Sequence, residues 1–459
     1  MTIDLSGALQ FAEANRERFI SELKEFVSIP SISTDPSARE NMVSAATWLV
    51  NKLEAMGFSN AAIHPTKGHP VVYGELLAAG TSRPTALIYG HYDVQPAEPV
   101  ELWSIPPFDP AVQGDYLYGR GASDMKGQVL TTLKAIEALL NNGGLNINIK
   151  FLVEGEEEIG SPHLKDFIAA HKDLLSCDFA INPDTGMLAA DIPTITYGLR
   201  GMAYFELRIT GPAQDLHSGL FGGAVHNPAQ VLCELIAGMH DTQGRVALPG
   251  FYDSVRELSR EERDELSRIP VTEQLLLQQT GAPQFYGEAG YTLVERIGAR
   301  PTLEVNGLLA GFTGEGSKTV LPARAMAKIS MRLVPDQDPV EVEKQLHQYL
   351  RDKAPPTVRW EVLTLAGGKP SITNIHHPAV IALSEALEQT WGKPVVYRRE
   401  GGSVPVVAQM QEILGVESVL TGFGLPDDNL HAPNERIHLP TFYNGIEAII
   451  RYLDRLGDL

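Results

Sequence analysis

The stretch TALIYGHYDV at residues 85–94 decides the fold, because an apolar run is followed at once by polar residues. TALIY predicts a short buried strand that ends at GHYDV. Side chains alternate along a strand, so His91 and Asp93 point the same way. An imidazole and a carboxylate at the carboxyl end of a strand suit a metal site, one as ligand and the other as its orienting partner. Taken alone, this pattern is more typical of a surface turn.

Length and composition indicate a large globular enzyme. The chain has 459 residues, which predicts two or three domains. Apolar residues make up 43% and charged residues 20%, which argues against a fibrous or disordered protein. The formal charge is −20, and the sequence has no run of Lys or Arg. Because such a chain repels nucleic acid and anionic membranes, we expect neither as a partner.

The two cysteines and the N-terminal segment point to a reducing compartment. Cys177 and Cys233 are far apart and lack CxxC spacing, so neither a disulfide framework nor a thiolate zinc site is predicted. The first 19 residues carry charges every few positions, unlike a signal peptide. No stretch approaches the roughly 18 apolar residues that span a bilayer. We therefore expect a cytoplasmic protein without a membrane span.

The first part of the chain alternates strands and helices. Amphipathic helices are predicted at residues 6–27 and 37–56, and the second ends at Gly57. Ser161 is expected to cap a later helix. Four strand-then-helix units follow one another, and each strand ends at a polar residue. This order predicts an α/β fold with a doubly wound, mostly parallel sheet and a site at the carboxyl ends of its strands.

The character of the chain changes near residue 197. GMAYFELRITG at residues 201–211 alternates like a half-exposed antiparallel strand, and similar elements continue to about residue 372. The α/β pattern then resumes. We therefore predict a catalytic domain in two parts, residues 1–196 and 373–459, with an inserted α+β domain at residues 197–372.

Seven candidate side chains collect at predicted strand ends or in loops. Their nitrogen and oxygen donors suit zinc, manganese or a similar divalent ion. Five metal ligands drawn from these candidates would be too many for one tetrahedral site, but they would fit two metal ions that share a bridging ligand. Glu157 and Glu158 could divide two tasks, one as base and one as ligand. Each acid taken alone also fits a solvated turn. The candidates are His91, Asp93, Asp124, Glu157, Glu158, Asp184 and His431.

Seven motifs in this order, across nearly the whole chain, resemble the aminoacylase and carnosinase family of two-metal peptidases. The resemblance is closest to the cytosolic nonspecific dipeptidase branch. Seven ordered motifs make chance agreement very small. The motifs are GHYDVQP, GRGASDMKG, EGEEEIGS, NPD, DLHSG, REGGSVP and LPDDNLHAPNE.

The resemblance implies a ligand set for two divalent metal ions per subunit, zinc or manganese. Asp124 would bridge the two ions. His91 and Asp184 would complete the shell of one ion, and Glu158 and His431 that of the other. The resemblance also implies a cis peptide bond after the bridging Asp124.

Two further residues of the same motifs would act beside the metals. The resemblance implies that Glu157 is the general base and then the proton donor to the leaving amine. It implies that Asp93 fixes the imidazole of His91. Glu156 would be only a neighbour of the pair.

The resemblance implies that the inserted domain, residues 197–372, acts as lid and dimerisation domain and completes the site of a homodimer. The resemblance implies that His217, in the HSG motif, reaches the partner's site and donates to the developing oxyanion; a loop histidine without that role is the alternative. Arg332 and Thr319 would hold the substrate carboxylate, and Ser403 would bind the same end. Since turns favour small hydroxyl residues, Thr319 and Ser403 also fit a structural role. Bacterial relatives usually read HGG where this chain has Ala366, which bears on substrate preference more than on catalysis.

We therefore expect a metallopeptidase that cleaves an amide next to a free C-terminal carboxylate in dipeptides or small peptides, with a metal-bound water as nucleophile and a Glu as base. An N-acyl amino acid amidohydrolase or carboxypeptidase is the alternative on the same scaffold. A catalytically silent homologue that only binds a ligand is the alternative of another class. Retention of Glu157 and all five ligands counts against the silent homologue.

Overall fold

The computed structural model describes residues 3–457 and 459. Its helices are α1 (Leu5–Ala14), α2 (Arg16–Val27), α3 (Arg39–Ala55), α4 (Lys126–Leu140), α5 (Leu164–Ala170), α6 (Lys172–Leu175), α7 (Ser218–Phe221), α8 (Pro228–Ala237), α9 (Arg260–Leu266), α10 (Glu273–Thr280), α11 (Leu293–Gly298), α12 (Pro339–Lys353), α13 (Pro378–Trp391), α14 (Pro405–Leu414) and α15 (Leu439–Leu456).

The strands belong to several sheets, and some of them have two to four residues. They are β1 (Ser59–His64), β2 (Val71–Leu76), β3 (Thr85–His91), β4 (Ala111–Gln113), β5 (Tyr116–Tyr118), β6 (Asn148–Glu154), β7 (Phe179–Asn182), β8 (Thr194–Leu199), β9 (Gly201–Thr210), β10 (Leu216–His217), β11 (Thr302–Ala310), β12 (Val320–Leu321), β13 (Arg324–Leu333), β14 (Arg359–Gly368), β15 (Ser371–Ile372), β16 (Val396–Glu400), β17 (Glu417–Leu420) and β18 (Arg436–His438).

The chain forms two compact units. The first contains the residues up to 197, 373–397 and those from 409 on. The second contains residues 198–372 and 398–408. The short segment 398–408 contains the whole REGGSVP turn, residues 399–405, so this turn belongs to the second unit.

The first unit is built on a mixed sheet with the order β1, β2, β6, β3, β7, β17, β8. The four central strands, β6, β3, β7 and β17, are parallel, and the outer pairs are antiparallel. The predicted strand at TALIY is β3, which lies between β6 and β7 and is buried from Ala86 to His91. Strands covered on both faces read as continuous apolar runs, as TALIY does. The predicted α/β fold class is confirmed.

Helix α4 is the most deeply buried helix of the first unit. Thirteen of its residues are buried, and it packs against α1, α15 and β3. At its first turn the Lys126 ammonium is fully buried and donates to the carbonyls of Phe26 and Ile29 at 3.1 and 2.6 Å. Because α4 begins two residues after Asp124, its burial fixes the loop that carries this carboxylate.

Two local predictions were wrong. The single helix expected at residues 6–27 is α1 and α2, separated at Asn15. The Asn15 amide donates to the carbonyl of Phe11 and accepts from Arg18, and such local side-chain bonds compete with a continuous helix. Ser161 is not a helix cap, because its hydroxyl donates to the buried carboxylate of Glu154 at 2.8 Å.

The second unit contains a four-stranded antiparallel sheet with the order β11, β13, β9, β14. Along β9 buried and half-exposed residues alternate, as expected for residues 201–211. The buried face packs against α8 and α12. A separate two-stranded ribbon of β10 and β12 ends at His217. Within the described residues, the helices are too short or too polar to cross a bilayer.

Candidate metal centre

The parallel strands of the first unit deliver the predicted ligands to one edge of the sheet. Neighbouring parallel strands end at the same edge, so residues that follow them lie close together. One further ligand, on the loop before α4, and another, on the loop before β18, join them there. The positions are His91 at the end of β3, Glu157 and Glu158 after β6, Asp184 after β7, Asp124 before α4, and His431 before β18.

The Asp124 carboxylate lies between two imidazoles. Its Oδ1 lies 3.1 Å from Nε2 of His91, and its Oδ2 lies 3.0 Å from Nε2 of His431. Each carboxylate oxygen therefore faces a different ring, which is the arrangement that a bridging carboxylate requires. The Asp124–Met125 peptide bond is cis, as predicted.

Each imidazole also has a second carboxylate neighbour. Nε2 of His91 lies 3.8 Å from Oδ1 of Asp184, and Nε2 of His431 lies 3.2 Å from Oε2 of Glu158. Donor atoms of His91, Asp124 and Glu158 lie within 4.8 Å of one another, and so do those of His91, Glu157 and Asp184. These six side chains could hold metal ions.

Crowding of carboxylates perturbs the acids of this centre. Burial raises the pKa of Glu157 to about 8; the neighbouring Asp124 and Glu158 add to this shift, and His91 opposes it. Burial raises the pKa of Asp184 well above its usual range for the same reasons. Hydrogen bonds to Asp124 and Glu158 raise the pKa of His431 to about 10. Four carboxylates at this spacing repel one another, and divalent cations would relieve the repulsion, so the donor set fits a metal centre.

Asp93 connects His91 to the glutamate pair. The backbone carbonyl of Asp93 lies 3.0 Å from Nδ1 of His91, and its carboxylate lies 3.4 Å from the same nitrogen. The carboxylate also accepts from the backbone N–H groups of Glu157 and Glu158 at 3.2 and 3.1 Å. When Nδ1 of a histidine donates to a carbonyl, Nε2 keeps its lone pair and is free to bind a metal.

Three buried or half-buried residues that support these ligands were missed. Gln95 donates to the Glu158 carboxylate at 2.9 Å. Glu435 accepts from the backbone N–H groups of Ser123 and Asp124 at 3.2 and 3.1 Å. Burial raises the pKa of Glu435 to about 7, although it also pairs with the nearby Arg120. The signal was present, because Gln95, Arg120 and Glu435 are all letters of the quoted motifs.

The loop that carries His431 has a left-handed backbone at three residues. The φ angles of Asn429, His431 and Asn434 are 56°, 59° and 63°. Such angles are uncommon outside glycine and persist where the surroundings enforce them. The side-chain amide of Asn434 supplies one anchor, since it accepts from the Ser104 N–H at 2.7 Å and donates to the Leu102 carbonyl at 2.9 Å. The imidazole of His431 remains 53% exposed.

The predicted substrate-binding residues lie in the second unit, and two of them touch. Arg332 donates through Nη1 to the hydroxyl of Ser403 at 3.0 Å, and that hydroxyl donates to the carbonyl of Arg200 at 2.6 Å. Thr319 lies beside the HSG motif instead, where its carbonyl accepts from the N–H and the hydroxyl of Ser218, each at 3.1 Å.

His217 and Ala366 are the other predicted positions of the second unit. His217 is exposed at the end of β10, and its Nδ1 accepts from the N–H of Gly219 at 3.0 Å. Its neutral ring therefore carries the proton on Nε2, which is left as a donor. Ala366 lies half-exposed on β14 opposite Tyr204, and nothing in the structure explains why it replaces a histidine.

Comparison with known proteins shows which family this chain belongs to. The Cys-Gly metallodipeptidase dug1 of Schizosaccharomyces pombe is 32% identical over 100% of both chains. The human Beta-Ala-His dipeptidase is 30% identical over 99% of this chain and 93% of its own. A crystal structure of an M20 family metallo-carboxypeptidase from Sulfolobus solfataricus superposes with a TM-score of 0.85 at 35% identity, over 96% of this chain and 99% of that one. The family model for peptidase family M20/M25/M40 matches residues 87–455. The predicted resemblance and enzyme class are thus confirmed, and the chain is a metallopeptidase that belongs to peptidase family M20/M25/M40.

Proposed function

We propose that this chain is a dipeptidase that works with two divalent ions, zinc or manganese. The observation that carries the proposal is the Asp124 carboxylate, which faces His91 with one oxygen and His431 with the other. Asp184 would complete the first ligand shell and Glu158 the second. When bound, such an ion pair polarises a carbonyl and makes water a nucleophile at neutral pH.

Glu157 is the proposed proton carrier. The backbone N–H of Glu157 donates to the Asp93 carboxylate. This bond fixes the backbone at Glu157 and does not use the carboxylate of Glu157 itself. The carboxylate lies within 4.8 Å of donor atoms of His91 and Asp184, close to where the substrate amide would react. In this role Glu157 takes a proton from the attacking water and gives it to the leaving amine. Asp93 is then a positioning residue for both His91 and Glu157.

Arg332 and Ser403 are proposed to bind the free carboxylate of the substrate. The Arg332 guanidinium can donate to one oxygen of a carboxylate, and the Ser403 hydroxyl, 3.0 Å from it, can donate to the other once it turns away from the Arg200 carbonyl. For Thr319 the support is weaker, because its contacts with Ser218 are made by the backbone carbonyl, whereas a carboxylate would be bound by the hydroxyl. Recognition of a free C-terminus would restrict cleavage to the last amide bond of the substrate, which in a dipeptide is its single peptide bond.

We propose that the active form is a homodimer in which His217 serves the partner's site. Strand β11 is one of the two edge strands of the four-stranded sheet. Edge strands with exposed apolar side chains pair readily with another chain. Leu308 and Leu309 on β11 are 53% and 57% exposed, and Phe312 beyond it is 45% exposed. The donor Nε2 of His217 suits an oxyanion.

The proposed substrate is a dipeptide in the cytoplasm, hydrolysed without a nucleic acid or membrane partner. Two relatives are named as dipeptidases that act on Cys-Gly and on Beta-Ala-His. Cys177 and Cys233 are both free thiols, as in reducing compartments. The solved relative that is a metallo-carboxypeptidase favours a second candidate, removal of a C-terminal residue from longer or N-acylated substrates.

A substrate panel on metal-stripped protein separates these functions. The protein is refilled separately with zinc, manganese and cobalt, and Ala-Gln, N-acetyl-Ala-Gln and Ala-Ala-Gln are offered to each form. A dipeptidase cleaves the free dipeptide fastest. Faster cleavage of the acetylated or longer peptide would favour the carboxypeptidase or amidohydrolase. No cleavage of any substrate by any refilled form would refute the proposed function.

A further inference from the structure

A cavity of about 440 Å³ opens in the second unit beside Arg332. One wall is formed by neighbouring strands β11 and β13, where Thr302 pairs with Arg332 and Glu304 with Ser330. These four residues all line the cavity. Since side chains alternate along strands, residues two apart share a face. The cavity is therefore built on one face of the sheet, and Arg332 forms part of its wall.

The charge of the cavity wall is strongly positive for an acidic protein. Four arginines and two glutamates line it. Arg300 and Glu288 neutralise each other through two hydrogen bonds of 2.8 and 2.7 Å. The remaining charges of the cavity wall are then three arginines and one exposed glutamate, namely Arg200, Arg296, Arg332 and Glu304. Within residues 3–457, none of these three guanidinium groups has a carboxylate within 4.0 Å.

Two of these three arginines, Arg200 and Arg332, repel each other. Burial and, to a smaller extent, the charge of Arg332 lower the pKa of Arg200 to about 10, against a smaller opposing effect of Glu304. Among the residues that the structure describes, the Arg200 guanidinium donates to the carbonyls of Gly401 and Arg300 alone, at 3.3 and 3.4 Å. Neutral carbonyls at these distances compensate little of its charge. An anion in the cavity would relieve the repulsion.

The cavity also contains a buried donor without an acceptor. Arg300 is only 2% exposed, and its Nη1 has no hydrogen-bond partner among the described residues. Buried donors are almost always satisfied, so an orphaned one on a cavity wall calls for an acceptor from a ligand. A carboxylate supplies two acceptor oxygens in a plane that matches a guanidinium.

We propose that this cavity binds a second carboxylate, the acidic side chain of the substrate's C-terminal residue, so that dipeptides ending in Glu or Asp are preferred. The proposal rests on the proposed function, in which Arg332 holds the C-terminal carboxylate. Arg200 and Arg296 then bind the side-chain carboxylate of the same residue. A net charge of −20 disfavours anionic substrates. A preference for an acidic side chain must therefore arise locally, from these arginines.

The test compares Ala-Glu with Ala-Gln, which have nearly the same shape and differ in one charge. We expect kcat/KM to be about tenfold higher for Ala-Glu, which corresponds to about 1.4 kcal/mol, and the difference to lie mainly in KM. Arg296→Gln should remove the preference, and Arg296→Lys should keep part of it. The matched control is Arg324→Gln, which removes one exposed positive charge at the other end of β13 and should leave the ratio unchanged.

A binding measurement keeps the test independent of turnover. Free glutamate should raise the melting temperature of the wild-type holoenzyme more than glutamine does, and Arg296→Gln should abolish the difference. Equal cleavage of Ala-Glu and Ala-Gln, together with equal stabilisation by glutamate and glutamine, would overturn the proposal while leaving the dipeptidase function intact. If no dipeptide is cleaved but glutamate still binds through Arg296, the proposed function is wrong and the anion site stands.

Discussion

The side-chain amide of Gln95 donates to Glu158 twice, at 2.9 Å to the carboxylate and at 3.2 Å to the backbone carbonyl. Gln95 lies four residues after His91 on the loop that leaves β3, and Glu158 lies on the loop that leaves β6. One amide thus ties two ligand-bearing loops together. Such supporting hydrogen bonds set the direction in which a ligand presents its lone pairs.

Gln95→Leu should weaken metal binding without unfolding the protein. The substitution keeps most of the side-chain volume but removes both hydrogen bonds to Glu158. We expect the affinity of the weaker metal to fall about 10-fold to 100-fold, as measured by chelator competition. Gln113→Leu, an exposed change on β4, is the control and should have no effect. An unchanged affinity in Gln95→Leu would show that Glu158 needs no support from this amide.

Glu157→Gln and Glu158→Gln should have different effects although the residues are adjacent. Glu157→Gln removes the proposed proton acceptor but leaves the ligand set, so metal content should persist while turnover falls about 10²-fold to 10⁴-fold. Glu158→Gln should lose metal, because the neutral amide is a poorer ligand beside His431. Elemental analysis of the dialysed proteins, read beside their turnover, distinguishes the two. Near-normal turnover of metal-loaded Glu157→Gln would mean that another group accepts the proton.

The sequence could predict that the candidate residues gather at one edge of the sheet, because the strand ends depend on local pattern. A buried strand followed by polar residues places His91 and Asp184 at a sheet edge whatever the rest of the chain does. The contact of Glu435 with Asp124 depends on tertiary packing between residues far apart, and no periodicity encodes it. Ser161 is a similar case. Local sequence rules predict that its hydroxyl caps a helix, but the hydroxyl donates to the buried carboxylate of Glu154 instead.

The division into two units also depends partly on tertiary packing that the sequence does not reveal. Alternation of apolar and polar residues marks the change of character near residue 197, because the strands after it are half-exposed. The turn at residues 398–408 carries no such mark, and it joins the second unit through contacts such as that of Ser403 with Arg200. The partners of a loop are set by packing, which a pass along the sequence does not reveal.

Glu22 should make stability depend on acid pH. It is 8% exposed and accepts from Lys134 and Lys52 at 2.6 and 2.9 Å. Burial opposes its ionisation, but the hydrogen bonds from the two lysines outweigh burial and lower its pKa from 4.5 to about 2. A lowered folded-state pKa stabilises the fold above the unfolded pKa, and this contribution is lost as pH falls through the folded one.

Glu22→Gln should therefore lower the free energy of unfolding by about 2 to 3 kcal/mol at pH 7. The difference from wild type should shrink between pH 4.5 and about 2, where wild-type Glu22 takes up its proton. Glu25→Gln on the same helix is the matched control, because Glu25 is 56% exposed and lies 3.7 Å from Lys52. Denaturant titrations across this range check both variants. Equal decreases in the free energy of unfolding for Glu22→Gln and Glu25→Gln would show that the bonds of Glu22 to Lys134 and Lys52 do not stabilise the fold.

Charges on the edge strand should break the proposed dimer. Leu308→Glu combined with Leu309→Glu places two carboxylates on the exposed part of β11, and burying them against a second chain is unfavourable. We expect a monomer in sedimentation experiments and a loss of turnover with metal content unchanged. Leu77→Glu is the control, since Leu77 is an exposed leucine of the first unit, 46% exposed. A double variant that remains dimeric would place the interface elsewhere.

Two inactive variants should restore activity when they are combined in one dimer. Every proposed metal ligand and Glu157 lie in the first unit, whereas His217 lies in the second. If His217 donates to the oxyanion in the partner's site, a mixed dimer of Glu157→Gln and His217→Ala contains one site in which both residues are intact. Random exchange of equal amounts makes about half of the dimers mixed, each with one working site, so about a quarter of wild-type turnover should return. Labelled subunits report the exchange itself. Complete exchange without recovered turnover would show that His217 serves its own chain or has no catalytic role.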